Sequence, residues 1–328
     1  EKLRQCISDA MDIHGGKGIS LGPSNYLGRG YQGAPVAITV EGANILTRSM
    51  IIYGQGAIRC HPYVLAEIEA ASNEDQQQAL DDFDHALFGH IGFAISNICR
   101  SFWFSLTGAR LQQVPFQDNT RRYYQLMNRF SANLAMLSDI AMLSLGGELK
   151  RRERISARLG DILSYLYLAS ATLKRYNDEG RRIDDFPLMQ WAVEDSLYSI
   201  QHAIDELISN FPNQLVGKAL RLLIFPLGTW LNRPSDITEH KVAVILQTPS
   251  DARTRLGKGQ YLTNEPENVV GQLEQTLKDV IASEPIFDKI CQHLEKKLPF
   301  TQLDKIAEQA LSINIITEQE ADLLRRTE

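Results

Sequence analysis

The sequence lacks any long hydrophobic run. A bilayer span needs about eighteen consecutive apolar residues, and the longest stretches without a full charge, such as Ala86 to Cys99, fall short of that. Cysteine is scarce: Cys6, Cys60, Cys99 and Cys291 lie far apart with no CxxC pair, which excludes a disulfide framework and reads as buried thiols of a reducing compartment. No signal-peptide pattern is present, so the expected location is cytoplasmic. Positive charge is not in excess either. With 34 Lys and Arg against 40 Asp and Glu, the net charge is −6, and no global field exists to collect phosphates. Nucleic acid is therefore not an expected partner.

Several catalytic signatures are missing as well. Gly16-Lys17-Gly18 starts like a dinucleotide-binding GxGxxG, but the third glycine, Gly22, comes one position late and no strand precedes it. There is no GxxxxGK[ST], no HExxH and no GxSxG. The 7 histidines show no ligand spacing, so no metal site is expected.

What fills the 328 residues is helix. Ile155, Leu159, Ile162, Leu166, Ala169, Leu173 and Tyr176 recur every three or four residues and form one stripe. A second stripe runs from Leu126 through Phe130, Leu134, Leu137 and Ala141 to Leu145, where Gly146-Gly147 interrupts it. A third follows Pro187 through Val193, Leu197, Ile200, Ile204, Leu207 and Phe211, and a fourth runs from Val270 to Ile281. Strand-like alternation is nearly absent, so the fold class is all-α. Residues 213–268 read as irregular, and Trp103, Trp191 and Trp230 read as core anchors.

The first sixty residues hold ten glycines, which implies shaped turns where backbone can meet a ligand. Within them Glu41 is the only charge between Ala34 and Leu46. A lone carboxylate in apolar surroundings favours its neutral form and has a raised pKa, as a general base working near neutrality requires. Gly42 beside it lets backbone approach a flat ligand. The competing reading is a glutamate at a helix N-terminus, stabilised by the macrodipole.

The string Glu41-Gly42-Ala43-Asn44-Ile45-Leu46-Thr47-Arg48 resembles the E-G-T-x-x-I-x-R motif of acyl-coenzyme A dehydrogenases. Asp12-Ile13-His14-Gly15-Gly16-Lys17-Gly18 is similar to their Q-I-x-G-G-x-G segment. Gly54-Gln55-Gly56-Ala57-Ile58-Arg59-Cys60-His61-Pro62 and the run from Lys150 to Asp161 extend the likeness to the long bacterial branch of fatty-acid β-oxidation. The resemblance implies an FAD-dependent enzyme that turns an acyl-CoA into a trans-2-enoyl-CoA. Glu41 would be the catalytic base, and Glu41 and Gly42 would hold the thioester. Gly15 and Gly16 would approach the flavin diphosphate, with Ala43, Asn44 and Ile45 beside the flavin. It also implies electron-transfer flavoprotein as acceptor, a homodimer, and peripheral contact with the inner face of the cell membrane.

By the same resemblance, residues 1–72 would close the dehydrogenase helical bundle and 73–328 would form a C-terminal helical extension for dimerisation or docking. The N-terminal and middle domains that complete a flavin site have no counterpart in these residues, so the chain alone is expected to be inactive. A different class remains open: a helical interaction module without chemistry of its own. Two local features bear on it. Lys150, Arg151, Arg152, Arg154 and Arg158 crowd the start of a helix expected over 148–176, calling for acidic partners or an anionic ligand. Leu215 to Trp230 is an apolar segment with Lys218 and Arg221, read either as core or as a membrane-interface segment.

Overall fold

The computed structural model describes residues 2–22, 25–38, 46–263 and 265–327, leaving aside the side chains of Ala37 and Ile52. Among them there is helix and no strand, as the periodicity requires. The chain divides into two compact units, residues 36–243 and residues 1–35 with 244–328.

In chain order, α1 (Lys2–His14) ends in a 3-10 turn at Gly15–Gly18, and α2 (Gly28–Gly33) runs into a second at Ala34–Ile38. A nine-residue π-helix, Thr47–Gln55, leads directly into α3 (Gly56–Cys60). The glycine-rich start is thus more helical than its composition suggests. Then come α4 (Val64–Ala71), α5 (Gln76–Leu106), α6 (Arg121–Leu145), α7 (Glu153–Asp178), α8 (Phe186–Ser209) and α9 (Gln214–Ile224). The last five are α10 (Asp236–Gln247), α11 (Asp251–Leu256), α12 (Val269–His293), α13 (Leu303–Ser312) and α14 (Glu318–Arg326).

Side chains that accept from otherwise orphaned backbone N–H groups set many of the helix starts. Asp75 accepts from Gln77 and Gln78, Asn213 from Leu215 and Val216, Ser250 from Arg253, and Asn268 from Gly271. Thr317 and Glu320 form a reciprocal capping box on α14. These caps explain why the span 213–268, expected to be irregular, holds three helices: Asn213 and Ser250 nucleate two of them locally. Pro187 sits in the first turn of α8, where its missing N–H costs nothing. Pro285, by contrast, lies inside α12.

The larger unit is a bundle whose core follows the sequence stripes. All seven stripe residues of α7 are buried. Phe130, Met136 and Leu137 of α6 and Val193, Ile200, Ile204 and Leu207 of α8 are wholly enclosed with them. Burial of each such side chain contributes about 1.5–3 kcal/mol, before the cost of ordering the chain. The aromatic expectation fails: Trp103 and Trp230 are substantially exposed, and Trp191 is only partly covered, its indole N–H reaching Glu239. The thiol expectation fails too. Cys6, Cys60 and Cys99 lie exposed on helical outer faces, and no two cysteines are bonded.

In the other unit, Phe287, Ile290, Leu303, Ala307, Ile316 and Leu324 join α12, α13 and α14 around a small core. The fourth stripe is not part of it. Val270 and Leu273 remain exposed, and the buried apolar side chains of α12, Phe287 and Ile290, lie in its later turns.

Candidate active site

Of the residues expected to form the site, Gly15 and Gly16 are described, while Glu41, Gly42, Ala43, Asn44 and Ile45 lie outside the described residues. What the structure does give is the mount on which the Glu41 segment ends. The π-helix that begins at Thr47 is laid against α7. A Cβ on Gly160 would come within 2.9 Å of the Arg48 carbonyl oxygen and 3.3 Å of its Cγ, so only glycine permits this approach. One residue on, Asp161 Oδ1 receives Arg48 Nη1 at 3.2 Å. Burial raises the Asp161 carboxyl above its ordinary value, against the pull of Arg48. Ser49 and Tyr53 from the same π-helix are buried, and burial pushes the Tyr53 hydroxyl up to about 12. A π-helix carries an inserted residue relative to α geometry and is found disproportionately at functional sites.

Two motif strings separated by more than a hundred positions therefore meet: Arg48 closes the glutamate string, and Gly160-Asp161 closes the basic run. The basic run itself is largely not helical N-terminus. Glu153, a favourable anion, holds the first turn of α7, and Lys150, Arg151 and Arg152 precede it. Arg151 pairs with Glu148, and Arg158 with Glu206, so acidic neighbours take up part of this charge.

Beyond α3, the chain reaches a polar cluster that sequence spacing did not disclose. His61 Nε2 lies 3.0 Å from Asp139 Oδ1 on α6, and His90 Nδ1 on α5 lies 2.8 Å from Glu67 Oε1 on α4. His90 Nε2 is a further 3.9 Å from Asp139 Oδ1. His61, His90 and Asp139 are close enough together to suggest a cation site. The hydrogen bonds point elsewhere. His61 Nδ1 is 3.2 Å from the backbone nitrogens of both Tyr63 and Val64, which can only donate. Nδ1 is thus the acceptor, the ring proton sits on Nε2, and that nitrogen donates to Asp139 instead of offering a lone pair to a metal. Burial holds the His61 pKa below its ordinary value and keeps the ring neutral. The cluster works as a polar clasp, tying the start of α4 to α5 and α6 beside a cavity of about 370 Å³.

A family model described as acyl-CoA dehydrogenase, C-terminal, bacterial type, matches residues 58–328. The chain belongs to this family. The match takes in the His61 clasp, the α7 surface that receives Arg48, and the whole of the bundle from α4 onward. No solved structure matches the chain.

Acyl-CoA dehydrogenases are generally FAD-dependent, and the glycine turn after α1 offers a test of fit. Gly15 takes φ +63°, and a Cβ built on Gly15 or Gly16 would meet no atom of this chain. Backbone there is open to close approach by an outside group, which suits a flavin diphosphate. Asp12 is exposed one turn earlier and does not fill that space. The expectation for Ala43, Asn44 and Ile45 falls on residues outside the described ones.

Proposed function

We propose that this chain supplies the C-terminal part of an FAD-dependent acyl-CoA dehydrogenase that forms trans-2-enoyl-CoA in fatty-acid β-oxidation. The family membership of residues 58–328 carries the reading, and the Glu41 string immediately ahead of that match supports it. In this reading the Glu41 carboxylate takes the α-proton of the acyl thioester. Its backbone N–H donates to the thioester oxygen and lowers the cost of the charge that develops there. Gly42, with no side chain, lets backbone come close to the thioester. Gly15 and Gly16 would hold the flavin diphosphate, and Ala43, Asn44 and Ile45 would lie along the flavin. FAD, when bound, accepts the β-hydrogen as hydride. The role of Arg48, Gly160 and Asp161 is positional: they fix the helix on which the Glu41 segment ends, and base catalysis depends on geometry before pKa.

The test is Glu41→Gln in the enzyme joined to its flavin-binding domains. The amide keeps the shape but cannot accept a proton, and loss of a general base costs about 10²–10⁴-fold in turnover. Flavin absorbance should persist while thioester oxidation disappears. Activity within a few-fold of wild type rejects Glu41 as the base.

An interaction role is a second reading, and an exposed apolar row on α5 favours it. Phe88, Ile91, Ile95, Trp103 and Leu106 all stand out from that helix. Such a row is more than scattered surface hydrophobics. We infer a homodimer built at least partly on it, with electron-transfer flavoprotein as acceptor and the inner membrane face as a further contact of the complete enzyme.

A further inference from the structure

A second cavity, in the groove between α5 and α6, has a different chemical character from the one beside the His61 clasp. It measures about 580 Å³, within the usual size of small-molecule sites. Arg100 is its only charged lining residue, and no carboxylate lines it. Among the described residues Arg100 has no acidic partner. Its Nη2 donates to Asn97 Oδ1, which leaves the remaining guanidinium N–H groups for something else.

Asn97 is wholly buried, and its Nδ2 has no hydrogen-bond partner. Across the groove, Gln112 has both amide atoms buried and neither is bonded. A buried unpaired amide costs about 1–3 kcal/mol, and two residues that carry one line this same cavity. The guanidinium is the donor open to the space, and the unpaired amides of Asn97 and Gln112 belong to residues that line it. Phe93 and Phe104 lie on the same stripe of α5 as Asn97 and Arg100, one at each end, and the facing wall from α6 carries Ser131, Ala132 and Ala135. The loop carrying Gln112 is held by Gln125 Nε2, which donates to the Arg110 and Gln112 carbonyls at 3.1 Å, so the donor set is built in advance.

We propose that this groove binds a small organic oxyanion, a carboxylate or a phosphate monoester with an aromatic or short apolar body. The oxyanion lies against Arg100, beside Asn97 and Gln112, and the body against Phe104, one turn further along α5. Neither Glu41 nor the glycine turn takes part, so the site stands whether or not the dehydrogenase reading does.

The experiment is calorimetric titration of the 328-residue chain with benzoate, phenyl phosphate, phenol and inorganic phosphate. Saturable binding of benzoate or phenyl phosphate is expected, and the tighter of the two identifies the headgroup; phenol should not bind. Arg100→Met, an exposed change that keeps the stem, should weaken binding about ten-fold or more, since charge-assisted hydrogen bonds are the strong ones. Asn97→Leu should also weaken it while raising the melting temperature of the ligand-free chain, because an unpaired buried amide is removed. Should Asn97→Leu fail to fold, Gln112→Leu in the loop serves the same purpose. The proposal is overturned if neither organic anion binds into the millimolar range, or if Arg100→Met binds them as well as wild type. It is also overturned if inorganic phosphate binds as tightly as phenyl phosphate, which would leave Phe104 without a role.

Discussion

Gly160 shows how a single missing methyl can decide a docking geometry. Inside a helix, glycine is worse than alanine by about 1 kcal/mol, so Gly160→Ala would ordinarily stabilise α7. Here the new Cβ meets the Arg48 carbonyl at 2.9 Å, and that atom is backbone, unable to turn aside. Overpacking of this kind costs about 1–3 kcal/mol and should outweigh the propensity gain. Chemical denaturation should show a net loss of stability, and turnover of the complete enzyme should fall further than stability does. A stabilised, fully active variant would mean the π-helix is not held by this contact. His61 gives a second residue-scale expectation. Its folded pKa is depressed below 6.5, mainly by burial, despite the attraction of Asp139 and Glu67 and with repulsion from His90. Below that value the unfolded chain takes up a proton that the folded chain resists. The clasp's contribution is therefore complete above about pH 7 and is lost as pH falls towards the depressed folded value. Melting temperature should drop between pH 7 and 5, and His61→Gln should flatten that slope. The clasp was not legible from sequence, because His61, Glu67, His90 and Asp139 follow one another at 6, 23 and 49 positions and belong to one turn and three different helices. The Arg48 and Gly160-Asp161 strings were legible as motifs, though not as partners.

At the scale of elements, the long stripes were readable because one period governs both burial and sequence. The Leu126, Ile155 and Val193 stripes all became core. The fourth failed because periodicity identifies an amphipathic face and cannot say that a partner covers it. Val270 and Leu273 have the right spacing and remain exposed. The segment from Leu215 to Trp230 posed the opposite problem, since core and interfacial readings share one pattern. In the structure Leu220, Ile224 and Phe225 are buried, and Phe225 lies beneath the Arg129 guanidinium, with Leu223 packed at the core margin. Leu215, Leu222 and Leu227 face outward. Phe225→Ser should thus cost about 3–5 kcal/mol through the cavity it leaves, seen as an early melt or aggregation. A variant that keeps its melting temperature would return this segment to the surface.

At the scale of the molecule, the all-helical class and the family were readable together, since the helical stripes and the strings carrying the resemblance, between Asp12 and Asp161, lie in one chain. The glutamate segment stays a sequence inference resting on its neighbours, and the oligomeric state has its own check. The exposed row on α5 spans residues 88–106, about 27 Å at 1.5 Å per residue, long enough for two copies to pack side by side. Light scattering of the complete enzyme should give the mass of a dimer, and Ile95→Glu with Trp103→Glu should give a monomer that keeps its helical content. An unchanged dimer would move the interface off this helix.

The π-helix from Thr47 to Gln55 adds a consequence of another kind. Its wider turns hold a surplus residue that ordinary α geometry would have no room for, so the span can absorb a change of length without breaking. Loss of one residue there would let the helix close to α form with its two ends kept nearly in register, where the same loss from an ordinary α-helix would turn one end by about 100°. The residue count between Thr47 and Gln55 can therefore change by one while the packing of this helix on α7 is kept.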